Sequence, residues 1–231
     1  MNCEEHAVWR AEMLMIIVWE RLRIVMIAII DYDAGNIRSV EKAFLALEQE
    51  AVITRDASEI LRADGVILPG VGSFGDAMEK LNMYGLVSVI RQCVEEKKPF
   101  LGICLGLQLL FNSSEESPGV EGLGLLKGHV LRLPEDKGLK IPHIGWNDLQ
   151  FPNKGRLFHG ISEGAYVYFV HSYYLQAEDE NIVTAVSEYG ARIHASVEQG
   201  NLFACQFHPE KSSDVGLQIL RNFIGIAKQD F

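Results

Sequence analysis

The sequence predicts an α/β fold: an open, mostly parallel, twisted sheet with helices on both faces and an antiparallel extension at one edge. Apolar runs with strand character alternate with amphipathic helical patterns from Met26 to about residue 112. Short β-rich runs bounded by glycine or proline then follow one another, and a helical pattern closes the chain. Alternation of strand and helix is typical of a parallel sheet covered on both faces, and successive strands favour antiparallel pairing.

The individual helices are predicted from the period at which hydrophobic residues recur, and the buried strands from apolar runs that are too short for helices. Buried strands are predicted at 26–31, 65–69 and 99–103. Helices are predicted over 36–48, 73–82, 85–97 and 105–112. The later β-rich runs are 127–133, 140–150, 165–171, 181–187, 192–198 and 202–207, and the closing helix covers about 213–228.

Length and composition favour a single domain. The 231 residues with 48% hydrophobic content can bury one substantial core, and no repeat or low-complexity linker divides them. We expect the domain to cover 26–231. Residues 1–25 contain an apolar run of only seven residues, 13–19, whereas a membrane span needs roughly 20. They also lack the pattern of a signal peptide, so we interpret them as an extension outside the domain.

Charge and cysteine content exclude several classes of protein. A net charge of −10 argues against a nucleic-acid partner, which usually requires a basic surface. The four cysteines show neither a disulfide framework nor metal-ligand spacing, which fits a reducing cytoplasm. Cys93 and Cys205 lie in apolar segments and are expected to be small core residues. We expect no metal and no cofactor.

The strongest chemical signal surrounds Cys104. An apolar strand runs directly into Gly-Ile-Cys-Leu-Gly, residues 102–106, and then into an apolar helix. This is the cysteine form of the nucleophile elbow, in which small residues allow a tight strand-to-helix turn. The turn holds the nucleophile in a strained conformation at the carboxyl end of the sheet, and the helix N-terminus favours the reactive thiolate. The backbone N–H of Leu105 would then face an oxyanion.

A partner for this thiol lies near the C-terminus. The segment 204–211 ends an apolar strand with His208, and Glu210 follows two positions later. A thiol nucleophile needs a base and a group that orients the base. Residues two apart on a strand share a face, although Pro209 is expected to end the strand here. Glu210 is therefore expected to lie close enough to hold the imidazole of His208, which would face Cys104. Together the three residues predict a catalytic triad.

A competing hypothesis comes from residues 70–75, which read Gly-x-Gly-x-x-Gly between a strand and a helix. This is the dinucleotide-binding pattern, and a nucleotide-binding module of Rossmann or flavodoxin type would leave Cys104 inert. The pattern does not follow the first strand, and the next strand does not end in an acidic residue. Dinucleotide binding is therefore the disfavoured alternative.

Several segments together resemble a known family. Gly-Ile-Cys-Leu-Gly-Leu-Gln at 102–108 and Phe-His-Pro-Glu at 207–210 resemble the class I glutamine amidotransferases. Further segments resemble the members that serve histidine biosynthesis, in the expected order from Met26 to the C-terminus: 31–36, 68–78, 142–147, 168–173 and 208–212.

The resemblance implies a reaction and a partner. Cys104 would attack the side-chain amide of glutamine, and His208 would protonate the departing ammonia and later activate water. The ammonia would pass to a (β/α)8-barrel synthase subunit, which forms a heterodimer with this chain and makes imidazole glycerol phosphate and AICAR. No membrane is involved in this reaction.

The resemblance also assigns roles to further residues. The second oxyanion donor would be the N–H of Val71, after reorientation of the peptide that joins Gly70 to it when the partner is occupied. The residues that would hold glutamine are Gln108, Glu116 and the main chain near Ser172 and Tyr173. The residues at the partner interface would be Trp146, Asn147, Tyr168 and Lys211.

Simpler interpretations of these residues remain open. Gln108 could be an ordinary helix residue and Glu116 a solvated charge, while Trp146 and Tyr168 could be core aromatics. Asp33 departs from the family pattern Asp-Tyr-Gly-x-Gly-Asn, because it replaces the first glycine of a turn.

Glutaminases that serve the synthesis of anthranilate or pyridoxal phosphate usually carry Pro-Gly-Gly, whereas this chain has Pro-Gly-Val-Gly at 69–72.

Overall fold

The computed structural model describes residues 25–135 and 138–229. Its strands are β1 (Ile27–Ile30), β2 (Ala51–Thr54), β3 (Gly65–Leu68), β4 (Phe100–Ile103), β5 (Ser113–Ser114), β6 (Gly128–Arg132), β7 (His143–Asp148), β8 (Tyr166–His171), β9 (Tyr173–Ala177), β10 (Val183–Glu188), β11 (Arg192–Gln199) and β12 (Leu202–Cys205). Its α-helices are α1 (Ile37–Ala46), α2 (Ala57–Arg62), α3 (Phe74–Met83), α4 (Leu86–Glu95), α5 (Leu105–Leu109) and α6 (Ser213–Lys228).

The central sheet has seven strands in the order β10-β11-β12-β4-β3-β1-β2. The pairs from β12 to β2 are parallel, whereas β10 pairs with β11, and β11 with β12, in antiparallel fashion. The mostly parallel sheet with an antiparallel extension at one edge is therefore confirmed. Because β4, β3 and β12 are neighbours, the residues that follow their carboxyl ends lie at the same edge of the sheet.

Helices cover both faces of this sheet, as predicted. Successive strand residues point to opposite faces, and the core accordingly divides into two clusters. Ala28 and Ile30 of β1 belong to the cluster that contains the apolar faces of α3 and α4, while Ile27 and Ile29 pack with those of α1 and α6. Every residue of β1, β3 and β4 is buried, which explains their continuous apolar sequences.

Two small sheets lie apart from the central one. Strands β7 and β8 form an antiparallel pair, and β9 pairs with β6, which also pairs with β5. The predicted runs at 140–150 and 165–171 thus form a separate two-stranded unit, called the hairpin sheet below. No element was predicted from the sequence for β2, α2, β5 or β9. Strand β2 is a half-exposed edge strand of four residues, and so has a weak hydrophobic pattern.

The packed domain includes at least one residue before Met26. Val25 is buried, and its carbonyl accepts a hydrogen bond from the Gln49 side chain at 2.6 Å. The proposed extension otherwise lies outside the described residues. In the described part of the chain, no helix combines the length and apolarity needed to cross a bilayer.

Candidate active site

Cys104 lies in a tight turn between β4 and α5. Its φ of 55° and ψ of −108° form a backbone conformation that is unfavourable for a residue with a side chain. A β-carbon at Gly106 would overlap the Leu68 carbonyl, and one at Gly102 would lie 2.8 Å from the Gly106 carbonyl oxygen. The turn therefore requires both glycines, and the strained elbow has the conformation expected from the sequence. Cys93 and Cys205 are fully buried core residues, as predicted.

His208 and Glu210 form a buried pair. The Nδ1 atom of His208 lies 2.7 Å from Oε1 of Glu210, and neither side chain exceeds 1% exposure. The Asn36 side chain donates a second hydrogen bond of 2.7 Å to the same oxygen. Because a carboxylate only accepts, Nδ1 of His208 carries a proton. The imidazole thus directs its other nitrogen away from Glu210.

The pair arises from a turn beyond the end of the strand and not from a strand face. Strand β12 ends at Cys205, and His208 precedes a 3-10 helix, Pro209–Lys211. The His208 amide donates to the Tyr168 carbonyl at 3.0 Å. This bond fixes the start of the turn to the hairpin sheet.

Electrostatic coupling links His208 to Cys104. Burial lowers the pKa of His208, but the Cys104 sulfur and the Glu210 carboxylate raise it, and the balance lies at about 10. Among the described residues, the buried Nε2 atom of His208 has no hydrogen-bond partner. A protonated imidazole beside the Cys104 sulfur, with Nε2 available, is an arrangement suited to proton transfer.

One cavity of about 300 Å³ brings together most of the residues singled out in the sequence. Both expected oxyanion residues and all four expected glutamine-binding residues line it, together with Cys104 and His208. The lining consists of Val71, Gly72, Cys104, Leu105, Gln108, Glu116, Pro142, Val170, His171, Ser172, Tyr173 and His208. Glu210 does not line it and touches it only through the bond to His208.

Gln108 belongs to a buried amide network. Its Nε2 atom donates to the Tyr173 carbonyl at 3.0 Å and to Oε1 of Gln206 at 3.1 Å. The Gln206 Nε2 atom in turn lies 3.8 Å from Cys104 Sγ. Gln206 was missed in the sequence, where its only signal is a polar residue within the apolar segment Ala204–Phe207. Gln108 is thus more than an ordinary helix residue.

The Leu105 amide faces the Pro-Gly-Val-Gly loop. It donates a 3.4 Å hydrogen bond to the Gly70 carbonyl. The Tyr32 hydroxyl donates to the neighbouring Pro69 carbonyl at 2.8 Å, and a β-carbon at Gly70 would overlap that hydroxyl. In this conformation a main-chain oxygen therefore covers one of the two expected oxyanion donors.

Side chains of the protein occupy part of the Gly-x-Gly-x-x-Gly segment. At the N-terminus of α3, the Phe74 amide donates to the Glu116 carboxylate at 2.8 Å, and the Gly75 amide donates to the Ser117 hydroxyl at 3.0 Å. Two of the amides that a phosphate would use at a helix N-terminus are thus occupied by the protein's own side chains, which disfavours a phosphate cradle here. Glu116 is accordingly not simply a solvated charge.

The expected interface residues lie on or beside the hairpin sheet. Trp146 is 52% exposed and its ring packs edge-on against Tyr168, with centroids 6.2 Å apart. The interpretation of Trp146 as a core aromatic is therefore wrong, whereas Tyr168 is partly buried. The Asn147 side chain donates to the Glu188 carbonyl at 3.0 Å, and Lys211 is exposed.

Asp33, the departure from the family pattern, has a φ of 62°. Its side chain bonds to the hydroxyl of Tyr84 and, at 2.6 Å, to the guanidinium of Arg55. These bonds lower the pKa of Asp33. The two partners compensate for a backbone conformation that glycine adopts more easily.

Comparison with known proteins adds independent information. A model of the family "Glutamine amidotransferase class-I" matches residues 28–226. The chain belongs to the class-I glutamine amidotransferases. Within this family it is 55% identical, over 85% of its length and 93% of the relative's, to "Imidazole glycerol phosphate synthase subunit HisH" of Moorella thermoacetica. It is 52% identical, over 88% of its length and 96% of the relative's, to the protein of the same name from Bacillus cereus strain G9842.

Two solved structures share the fold. A crystal structure described as a glutamine amidotransferase has a TM-score of 0.68 at 23% identity and covers 87% of this chain and 98% of its own. The structure of PurLQS from Thermotoga maritima has a TM-score of 0.69 at 22% identity, with coverage of 88% and 99%. The predicted amidotransferase fold is therefore confirmed.

Proposed function

We propose that this chain hydrolyses glutamine to glutamate and ammonia, and supplies the ammonia to the synthase subunit of an imidazole glycerol phosphate synthase in histidine biosynthesis. The observation that carries this proposal is that a strained Cys104 and His208, which is paired with Glu210, line one cavity. The name shared by relatives at 52–55% identity supports the pathway. It also favours this synthase over the anthranilate and pyridoxal phosphate alternatives.

The chemistry divides into two steps. The Cys104 sulfur attacks the side-chain amide carbon of glutamine, and the tetrahedral intermediate expels ammonia with a proton from Nε2 of His208. This leaves a γ-glutamyl thioester. His208 then takes a proton from water, which attacks the thioester and releases glutamate. Glu210 holds the imidazole at Nδ1 throughout, and Asn36 holds Glu210 by donating to the same carboxylate oxygen.

The oxyanion needs two donors, and we assign this role to the amides of Leu105 and Val71. In the described conformation the Gly70 carbonyl accepts from Leu105. Rotation of the Gly70–Val71 peptide would withdraw that oxygen and turn the Val71 amide toward the same point. An enzyme with this arrangement has low activity until the peptide rotates, because the negative charge of the intermediate would otherwise face a carbonyl oxygen.

The cavity residues suit glutamine. Gln108, Glu116 and the peptide groups of Ser172 and Tyr173 offer hydrogen-bonding groups and one carboxylate for the α-ammonium group. Cys104 lies in the same cavity, so the side-chain amide can reach the sulfur while the amino-acid end is held.

For the partner, we propose a (β/α)8-barrel subunit that docks on the hairpin sheet to form a heterodimer. The exposed apolar side chains of Ile144, Trp146 and Tyr166 provide a surface of the kind that protein interfaces bury. Asn147, Tyr168 and Lys211 lie beside them. The Tyr168 carbonyl binds the His208 amide, so docking here would act on the turn that holds the catalytic histidine. The cytoplasm is the proposed location.

The test uses the complex of this chain with its barrel subunit. Cys104→Ala is expected to abolish glutamine-dependent synthesis while leaving ammonia-dependent synthesis unchanged, because ammonia bypasses the glutaminase. Glutamate release should be measured with and without the nucleotide ligand of the partner. Glutamine turnover by the variant would contradict the role of Cys104, and absence of turnover by the wild-type complex would contradict the function itself.

A further inference from the structure

Two buried histidines bridge the hairpin sheet and the cavity. His143 of β7 and His171 of β8 are cross-strand partners, with 3% and 6% exposure. Nδ1 of His143 lies 3.1 Å from Nε2 of His171, and Nδ1 of His171 lies 3.0 Å from the Tyr173 carbonyl. Neither histidine belongs to the proposed triad.

Hydrogen-bonding rules fix the protons of this pair. The Tyr173 carbonyl can only accept, so Nδ1 of His171 carries the proton and Nε2 of the neutral ring is an acceptor. Nδ1 of His143 must then be the donor to that Nε2. Burial lowers the pKa of His143 to about 4 and that of His171 to about 3, so both rings are neutral at pH 7. Each imidazole therefore has its proton on Nδ1.

The Tyr173 carbonyl is held by side chains because the adjacent sheet leaves it free. The Leu133 amide donates to the Ser172 carbonyl at 2.9 Å across the β6–β9 ladder. Alternate residues of an antiparallel strand bond toward the opposite side, so the peptide groups of Tyr173 face away from β6. Its carbonyl instead accepts from His171 and from Gln108.

Ser172 is also the point at which the chain passes from one sheet to another. Strand β8 ends at His171 and pairs with β7, whereas β9 begins at Tyr173 and pairs with β6. No single ladder therefore fixes the peptides on both sides of Ser172. The His171 side chain spans this junction, from its own backbone to the carbonyl two residues later.

We propose that His171, kept in one tautomer by His143, is a positioning residue that orients the peptide groups of Ser172 and Tyr173 for glutamine binding. The inference rests on the proposed function, in which those peptide groups hold the substrate. His143 can perform its part because its ring is stacked between Phe169 and Tyr189, at centroid distances of 5.0 and 3.8 Å. The stacking holds the donor, Nδ1 of His143, in place on the hairpin sheet, and the hydrogen bond from this atom keeps His171 in one tautomer.

The test compares two replacements of His171 in the complex with the barrel subunit. In His171→Asn, the side-chain nitrogen occupies the place of Nδ1 and can still donate to the Tyr173 carbonyl. In His171→Leu, that donor is lost. We expect His171→Leu to raise KM for glutamine about tenfold with kcat within threefold, and His171→Asn to stay within threefold of wild type in both. His129→Asn, at an exposed histidine outside the cavity, is the control.

A loss of structure alone would not produce this pattern. Loss of structure would impair glutamine hydrolysis in both His171 variants alike. Ammonia-dependent synthesis would show separately that the partner subunit remains intact. Equal KM values for the Asn and Leu variants, or a loss confined to kcat, would overturn the inference. If the wild-type complex releases no glutamate from glutamine, the proposed function fails instead.

A second measurement does not depend on how the leucine variant folds. Long-range nitrogen–proton NMR spectra of the wild-type protein at pH 7 should show His143 and His171 with the proton on Nδ1. His143→Phe retains the aromatic stack but removes the donor, and should raise KM for glutamine three- to tenfold. A proton on Nε2 of His171, or an unchanged KM in His143→Phe, would contradict the proposal.

Discussion

The replacement Glu210→Gln isolates the contribution of charge to the proposed triad. The amide has the shape of the carboxylate, and its oxygen can still accept from Nδ1 of His208 and from Asn36, which each lie 2.7 Å from Oε1 in the wild type. What disappears is the negative charge beside an imidazole that is positive at rest and becomes positive again when it takes a proton from water in the second step. Because the pair is buried, solvent screens this attraction weakly.

The expected magnitude follows from this geometry. Opposite unit charges about 4 Å apart interact by about 4 kcal/mol at an effective dielectric constant of about 20. Loss of about 3–4 kcal/mol of transition-state stabilisation corresponds to a fall in kcat of about 10²–10³-fold. KM should change little, since Glu210 does not line the cavity.

Steady-state glutaminase kinetics of the complex would measure both constants. The matched control is Glu198→Gln, which removes a carboxylate bonded to Arg156 outside the cavity and should leave kcat within about twofold, since no transition-state contact changes. A kcat for Glu210→Gln within threefold of wild type would refute the reasoning.

Three further predictions concern packing, protonation and assembly. Gly70→Ala should cost about 2 kcal/mol through overpacking, or about 4–8 °C in Tm; an unchanged calorimetric midpoint would show that the loop is not closely packed. His143 and His171 bind protons less readily when folded, so urea-unfolding stability should fall as pH drops from about 6.5 to 4, by up to about 1.4 kcal/mol per unit for each histidine. In His143→Phe the slope of unfolding stability against pH should be smaller than in the wild type, and an equal slope would contradict this. Trp146→Ala should weaken partner binding by about 2 kcal/mol in titration calorimetry, whereas Met83→Ala, exposed on α3, should not; equal affinities would exclude Trp146 from the interface.

Local patterns in the sequence predicted the elbow and the buried strands. The turn at Cys104 depends on neighbours within two residues, Gly102 and Gly106, and the all-buried β1, β3 and β4 appear directly as apolar runs. Strand β2 was missed because an edge strand needs few apolar residues. The two-stranded hairpin sheet could not be distinguished from the main sheet, since alternation within a strand does not identify its partner.

The site depends on contacts between distant segments, which a pattern cannot reveal. Gln206 bonds to Gln108 across 98 positions of the chain, and the Gly70 carbonyl covers the Leu105 amide only because β3 and β4 are neighbours. The His208–Glu210 spacing suggested a shared strand face, whereas a 3-10 turn brings the two side chains together. In the first two cases tertiary packing decides the geometry, and in the third a local turn does.

The most direct test of the central claim is covalent labelling of the complex with a glutamine-analogue electrophile, followed by peptide mass mapping. We expect modification of Cys104 alone, in step with the loss of glutaminase activity and prevented by excess glutamine. The fully buried Cys93 and Cys205 provide internal controls within the same digest. Complete inactivation with Cys104 unmodified, or no labelling together with tight NAD or FMN binding, would contradict Cys104 as the nucleophile of a glutaminase.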